Sequence, residues 1–170
     1  MAAQSTYVLP FPQFESVLKD ADHVDVKTVE GEVTLRQFIA AMISYQPSWV
    51  TFLYRVRAVF VRLLGMKQEH IPLAPVMRPE EVPMMRGSKA AFFTVNRAEE
   101  ERYWLAEVKD QHLNAALGVI AEPLENGRSR FKVITIVHYN NWAGPVYFNL
   151  IRPFHHLVVG SMARAGIRGK

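Results

Sequence analysis

The stretch Phe131-Lys132-Val133-Ile134-Thr135-Ile136-Val137-His138-Tyr139-Asn140-Asn141-Trp142-Ala143-Gly144-Pro145 changes period partway along. Phe131, Val133, Thr135, Val137 and Tyr139 fall on one side of Lys132 and His138, the period of two of a strand with one face on a core. Gly144 then offers a helix N-cap and Pro145 a first helical residue, where a missing N–H costs least. Beyond it Tyr147, Leu150, Ile151, Phe154, Leu157, Val158 and Ser161 recur at three- and four-residue steps, so a long C-terminal helix buries one face. Pro153 interrupts that pattern and predicts a kink near Asn149.

Working upstream, period two continues through three more strands. Leu113, Ala115, Leu117 and Val119 share one face, and a Glu125-Asn126-Gly127 turn joins them to the final strand. Before them, Trp104, Ala106, Val108 and Asp110 alternate with Tyr103, Glu107 and Lys109, and Ala91, Phe93 and Val95 lead into a turn over Asn96 to Glu101. This is an antiparallel meander with one core face and one wetter face. Residues 67 to 87, with four prolines and Met77, Met84 and Met85, read as a long loop, either a lid over a site or a plain connector.

Two shorter helices precede that loop. Thr34 caps the first, which carries Leu35, Phe38, Ile39 and Met42 on one face and stops at Pro47. Ser48 caps the second, whose stripe is Trp49, Phe52, Val56, Val59, Phe60 and Leu63. Val24, Val26 and Thr28 against His23, Asp25 and Lys27 mark a leading strand, and residues 1 to 20, with Pro10 and Pro12, read as an extended arm.

The whole chain of 170 residues, 49% hydrophobic and 21% charged, suits a single domain and excludes a disordered or fibrous one. With no cysteine there are no disulfides, thiolate metal sites or cysteine nucleophiles. The longest apolar run, Trp49 to Met66, carries Arg55, Arg57 and Arg62, each costing about 2.5–3.5 kcal/mol near a bilayer centre, so no membrane span is expected. The start lacks a secretory signal, and a cytoplasmic protein is the expectation. The net charge of +4 attracts polyanions only weakly, and no nucleic-acid recognition module accompanies it.

Strand, two helices, antiparallel strands and one long helix make an α+β order in which a curved sheet wraps around the kinked C-terminal helix. That order resembles the helix-grip fold of the START and polyketide-cyclase superfamily; the alternative, a cone-shaped fold like nuclear transport factor 2, normally places its helices first. Asp110-Gln111-His112-Leu113, the run from Thr135 to Gly144, and Tyr147 with Ile151-Arg152-Pro153-Phe154-His155 are similar to a bacterial family catalogued as domain of unknown function 2867. The likeness follows element order over most of residues 20 to 165 and is specific over 110 to 165. Where that family continues with an acidic residue and then an arginine, this chain has Asn114, Ala115 and Ala116. The resemblance implies a helix-grip fold and no established activity, and some relatives are joined to nucleotide-binding epimerase-like domains.

An apolar cavity between sheet and helix is the expected place for a ligand. Phe93, Trp104, Tyr139, Tyr147 and Phe154 are its candidate aromatic lining, with Asn141, Arg152 and His155 as polar contacts at its mouth. Each has a plainer role, as core, turn anchor or surface ion pair. Asp110 and His112, two apart at a strand end, can pair as orienting carboxylate and general base, with Tyr139 or His138 as acid; the plainer reading is a hydrogen-bond pair fixing the turn. His155 and His156 point about 100 degrees apart on a helix, so no metal site is expected, nor any cofactor. The first functional expectation is non-catalytic binding of a small apolar or amphipathic molecule. The alternatives are a cyclase- or dehydratase-type enzyme and a partner-binding or homodimerising module that uses the basic second helix or the sheet face bearing Tyr103 and Leu105.

Overall fold

The period-two stretches form one antiparallel sheet in the computed structural model, which describes residues 12–63, 65 and 76–169. The elements in chain order are α1 (Pro12–Leu18), β1 (His23–Gly31), α2 (Leu35–Ser44), α3 (Ser48–Leu63), a 3-10 turn (Pro79–Glu81), β2 (Lys89–Ala90), β3 (Phe93–Glu99), β4 (Tyr103–Lys109), β5 (Leu113–Pro123), β6 (Ser129–Tyr139) and α4 (Ala143–Gly166). The sheet order is β1-β6-β5-β4-β3-β2, so the leading strand returns to pair with the last. This is the α+β helix-grip arrangement, a six-stranded curved sheet with the long α4 laid against it. Among the described residues no helix is long and apolar enough to cross a membrane.

Local chemistry explains the main joints. Thr34 and Gln37 form a full capping box at the start of α2. Asn126 and Gly127, at φ of 63° and 74°, turn the chain from β5 into β6, the left-handed pair that an Asn-Gly hairpin turn requires. The inward face of the sheet meets α2 and α4 in the main core, where Trp104, Leu117, Val119, Phe131 and Val133 pack with Phe38 and Val159. Phe38 stacks on Phe131 with centroids 4.2 Å apart. Gly166 of α4 makes room for that stack: a Cβ there would lie 2.6 Å from the Phe38 ring.

Several expectations are corrected. Residues 12 to 18 of the supposed extended arm are helical, because Pro12 takes the first helical position, where a proline is preorganised; residues 1–11 lie outside the described residues. That helix covers the second face of the sheet. Phe14, Tyr103, Leu105, Ile120, Ile134 and Ile136 form an apolar cluster there, joined by Val24 and Val26, so the part of that face under α1 is dry, and Tyr103 and Leu105, at 8% and 0% exposure, offer no docking surface; Glu107, Lys109, Glu122 and Lys132 keep the rest of it polar. The turn read over Asn96 to Glu101 is shorter, since β3 continues through an irregularity between Val95 and Arg97 to Glu99. In α3 it is the Pro47 carbonyl that accepts from Val50 and Thr51, with Ser48 already inside the helix. The start of α4 is held by Asn141, whose Oδ1 accepts from the Ala143 N–H at 3.0 Å; the N-cap is Trp142, two residues before the expected Gly144.

The described part of the long loop is a fastened connector. Met77 N–H donates to the Ser44 hydroxyl, and the carbonyls of Val82 and Pro83 accept from Arg36 and Trp104; residues 67–75 lie outside the described residues. The helix α4 is continuous through Pro153, which removes the N–H that the Asn149 carbonyl would accept from; both residues are on the exposed side of the helix. Its expected buried stripe is only partly buried. Tyr147, Phe148, Val159 and Ala163 are enclosed, whereas Leu150, Phe154 and Leu157 are 38%, 45% and 53% exposed. On α3 only Val50 and Val61 are enclosed, and Phe52, Val59 and Leu63 face outward.

Candidate functional site

The incomplete closure of α3 and α4 over the sheet leaves two adjoining hollows. The first, of about 240 Å³, is walled by α3 and α4 and floored by β5 and β6, with Phe93, Leu117, Val133 and Phe154 among its apolar lining. The second, of about 640 Å³, opens toward the ends of β3 and β4 and is edged by Arg86, Lys89, Glu107, Lys109 and Asp110, with Tyr147 in its wall. Arg57, Thr135 and His155 line both.

Each of these three is positioned by its element. Thr135 is the inward polar residue of β6, in register with Asp25 on one side and Leu117 on the other. It is 4% exposed and its Oγ1 has no hydrogen-bond partner. His155 stands on α4 with its Nε2 buried and also unpartnered. Burial, with the neighbouring His156 adding repulsion, takes its pKa from 6.5 down to about 4, so the ring is neutral at ordinary pH. Arg57 donates from Nε to the Tyr147 hydroxyl and lies 5.4 Å over the Tyr147 ring. Burial raises the Tyr147 phenol pKa against the opposing pull of Arg57.

Beside His155, β1 turns its polar side to α4. His156 Nδ1 lies 3.3 Å from Asp25 Oδ2, outside hydrogen-bond geometry, and Lys27 Nζ donates to Asp25 Oδ1 at 3.2 Å. The His23 ring is 5.7 Å from that of His156, and its pKa is lowered by burial first and then by Arg152. No group of three or more His, Asp or Glu side chains among the described residues is arranged to hold a metal ion.

The residues singled out from the sequence divide as follows. Phe93 and Phe154 line the apolar hollow, Tyr147 the larger one, and His155 both. Trp104 lines neither: it is fully buried and its indole N–H donates to the Pro83 carbonyl at 3.0 Å. Tyr139 packs 6.1 Å from Phe148 at the end of β6, and Arg152 is exposed; neither lines a hollow. Asn141 is committed to the turn, donating to the Gln111 carbonyl and meeting His112 Nδ1 at 3.3 Å. Asp110 edges the larger hollow with Oδ1 accepting from the Gln111 N–H, and no hydrogen bond joins it to His112 among the described residues. His138 faces the other side of the sheet, its Nε2 2.8 Å from the Val17 carbonyl. The four acid–base candidates therefore do not converge on one point.

Arg57 and Thr135 were not among the residues singled out. Signals for both stand in the sequence: Arg57 lies in a run from Val33 to Gln68 without an acidic residue, and Thr135 is the polar member of an otherwise apolar inward row.

Comparison with known proteins gives one family and several solved structures of similar fold. A family model described as protein of unknown function (DUF2867) matches residues 16–162. No curated protein matches the chain. Among solved structures, the crystal structure of Ara h 8.0201 is similar at 10% identity with a TM-score of 0.41, covering 86% of this chain and 98% of that one. Truncated norcoclaurine synthase from Thalictrum flavum is similar at 10% identity and TM-score 0.42, covering 84% and 91%. A point mutant of that synthase in complex with a transition-state analogue gives 11%, 0.43, 86% and 92%.

Proposed function

The chain belongs to the DUF2867 family, whose description assigns no activity, and from the shape of its site we propose that it binds a small apolar or amphipathic molecule in the hollow between the sheet and the helices α3 and α4. One observation carries this reading. A hollow of about 240 Å³, partly open to solvent, remains between α3, α4 and the sheet, lined almost wholly by apolar side chains, the usual character of a small-molecule site. The protein acts as a cytoplasmic binding protein in this reading, and the aromatic pair Phe93 and Phe154 grips the ligand. Titration with the fluorescent dye N-phenyl-1-naphthylamine tests it. Saturable binding is expected, weakened about tenfold in Phe154→Ala, which removes a ring that touches the hollow yet is 45% exposed and so leaves the fold intact. No saturable binding, or unchanged affinity in the variant, would refute it.

A second reading has an observation of its own. Phe52, Val59 and Leu63, at 60%, 58% and 76% exposure, share the outer face of α3, which suits a partner-binding or dimerising module. A concentration-independent monomer mass would remove the dimer form of that reading.

A further inference from the structure

The polar side chains common to both hollows are Arg57, Thr135 and His155, so they stand where an apolar compartment meets a wetter one. Thr135 Oγ1 and His155 Nε2 are buried without partners, although a buried polar group left unpaired costs about 1–3 kcal/mol. Arg57 has no carboxylate within ion-pair distance among the described residues. Its Nε is taken by Tyr147, and no hydrogen bond among the described residues occupies its two terminal nitrogens. The larger hollow is lined by Arg86, Lys89 and Lys109 against Glu107 and Asp110, so with Arg57 the charged groups around it are net cationic.

We propose that the site takes a singly charged anionic amphiphile, a carboxylate on an apolar body, with its head at the junction of the two hollows on Arg57, Thr135 and His155 and its body among Phe93, Phe154 and Val133. This rests on the ligand-binding reading above and specifies its chemistry. The guanidinium fork matches a carboxylate in two parallel bonds. The Thr135 hydroxyl and the His155 ring in its Nε2–H tautomer each donate one more. Because His155 is neutral at ordinary pH, Arg57 carries the one charge among the described residues that line both hollows, and a monoanion balances it.

Competition against bound N-phenyl-1-naphthylamine by decanoate and by 1-decanol separates the alternatives. A merely apolar hollow prefers the alcohol, since moving a carboxylate out of water without a partner is costly. The expected result is decanoate binding about tenfold more tightly than decanol, and a fall of tenfold or more in that ratio in Arg57→Met. Thr135→Val, which keeps the shape and removes the unpartnered hydroxyl, lowers the same ratio about threefold. Using the ratio cancels any general change in the hollow. Decanol binding as well as decanoate to the wild type, or an unchanged ratio in Arg57→Met, overturns the proposal while leaving the ligand-binding reading standing. Absence of saturable dye binding overturns both.

Discussion

Lowering the pH should destabilise the protein through His155. Its pKa of about 4 in the folded state and 6.5 in the unfolded chain mean that, between those values, unfolding takes up a proton that the native ring refuses. Stability from this group is whole above 6.5, falls as the pH drops through that value and levels off below about 4. Between about pH 7.5 and about pH 4.5 the loss integrates to about 2.5 kcal/mol. The groups around the ring act in both directions, His156, His23 and Lys27 opposing its protonation and Asp25 favouring it, but burial is the largest cause. His155→Phe removes the titration and keeps a flat ring. Urea unfolding of the ligand-free proteins at the two pH values then gives a double difference in which the carboxylates cancel. His23, whose pKa is lowered by burial and by Arg152, is not set by His155 and persists in both proteins. The wild type should lose about 2.5 kcal/mol more than the variant, a midpoint difference of about 1 M urea. Equal losses would refute the assignment of a buried neutral ring.

Two packing predictions follow from the layers. Phe14→Ala removes the fully buried ring that sits 3.2 Å from where a Gly118 Cβ would be and edge-on to Tyr103 at 6.0 Å; it should cost about 3–4 kcal/mol in urea unfolding, and a loss below about 1 kcal/mol would mean that α1 does not pack as described. Gly166→Ala drives a methyl against the Phe38 ring and should lower stability by about 1–3 kcal/mol despite the better helix propensity of alanine, whereas a neutral or stabilising effect in thermal melting would contradict the close approach of α2 and α4.

Legibility in the sequence followed the reach of the interactions. The Thr34 cap, the Asn126-Gly127 turn and the alternation from Phe131 to Tyr139 are local, and each stands where its residues place it. Pro12 shows the converse. Read beside Pro10 it suggests extension, yet it opens a helix whose Phe14 is anchored by residues roughly a hundred positions away, which no local pattern reports. The spacing of Asp110 and His112 misled for a geometric reason: β4 ends at Lys109 and β5 begins at Leu113, so these residues lie in the turn, where the two-residue rule for a shared strand face does not apply. Helical spacing named the stripes of α3 and α4 but carried no information about whether their side chains meet each other or border a void. Phe154 and Leu150 have the same period as Tyr147 and Val159, and only the tertiary distance between helices separates hollow from core.

That distance also links the wall of the site to its occupant. α2 is fixed to the sheet by the Phe38–Phe131 stack and to α4 by the close approach of Phe38 to Gly166, whereas α3 fully buries only Val50 and Val61 of its sixteen residues. Its remaining inward groups, Leu53, Val56, Arg57 and Phe60, face the hollow. Hydrophobic stabilisation scales with the apolar area removed from water, about 25 cal/mol per Å², so α3 gains most of its missing contact from whatever fills that space. A ligand then acts as part of the core on one side of the molecule and leaves the other side untouched. Binding should raise the protection of α3 amides from hydrogen exchange well above that of β5 and β6, which are already paired on both edges. Uniform protection across sheet and helix would show instead that α3 folds with the sheet as one unit and that the hollow is a rigid feature of it.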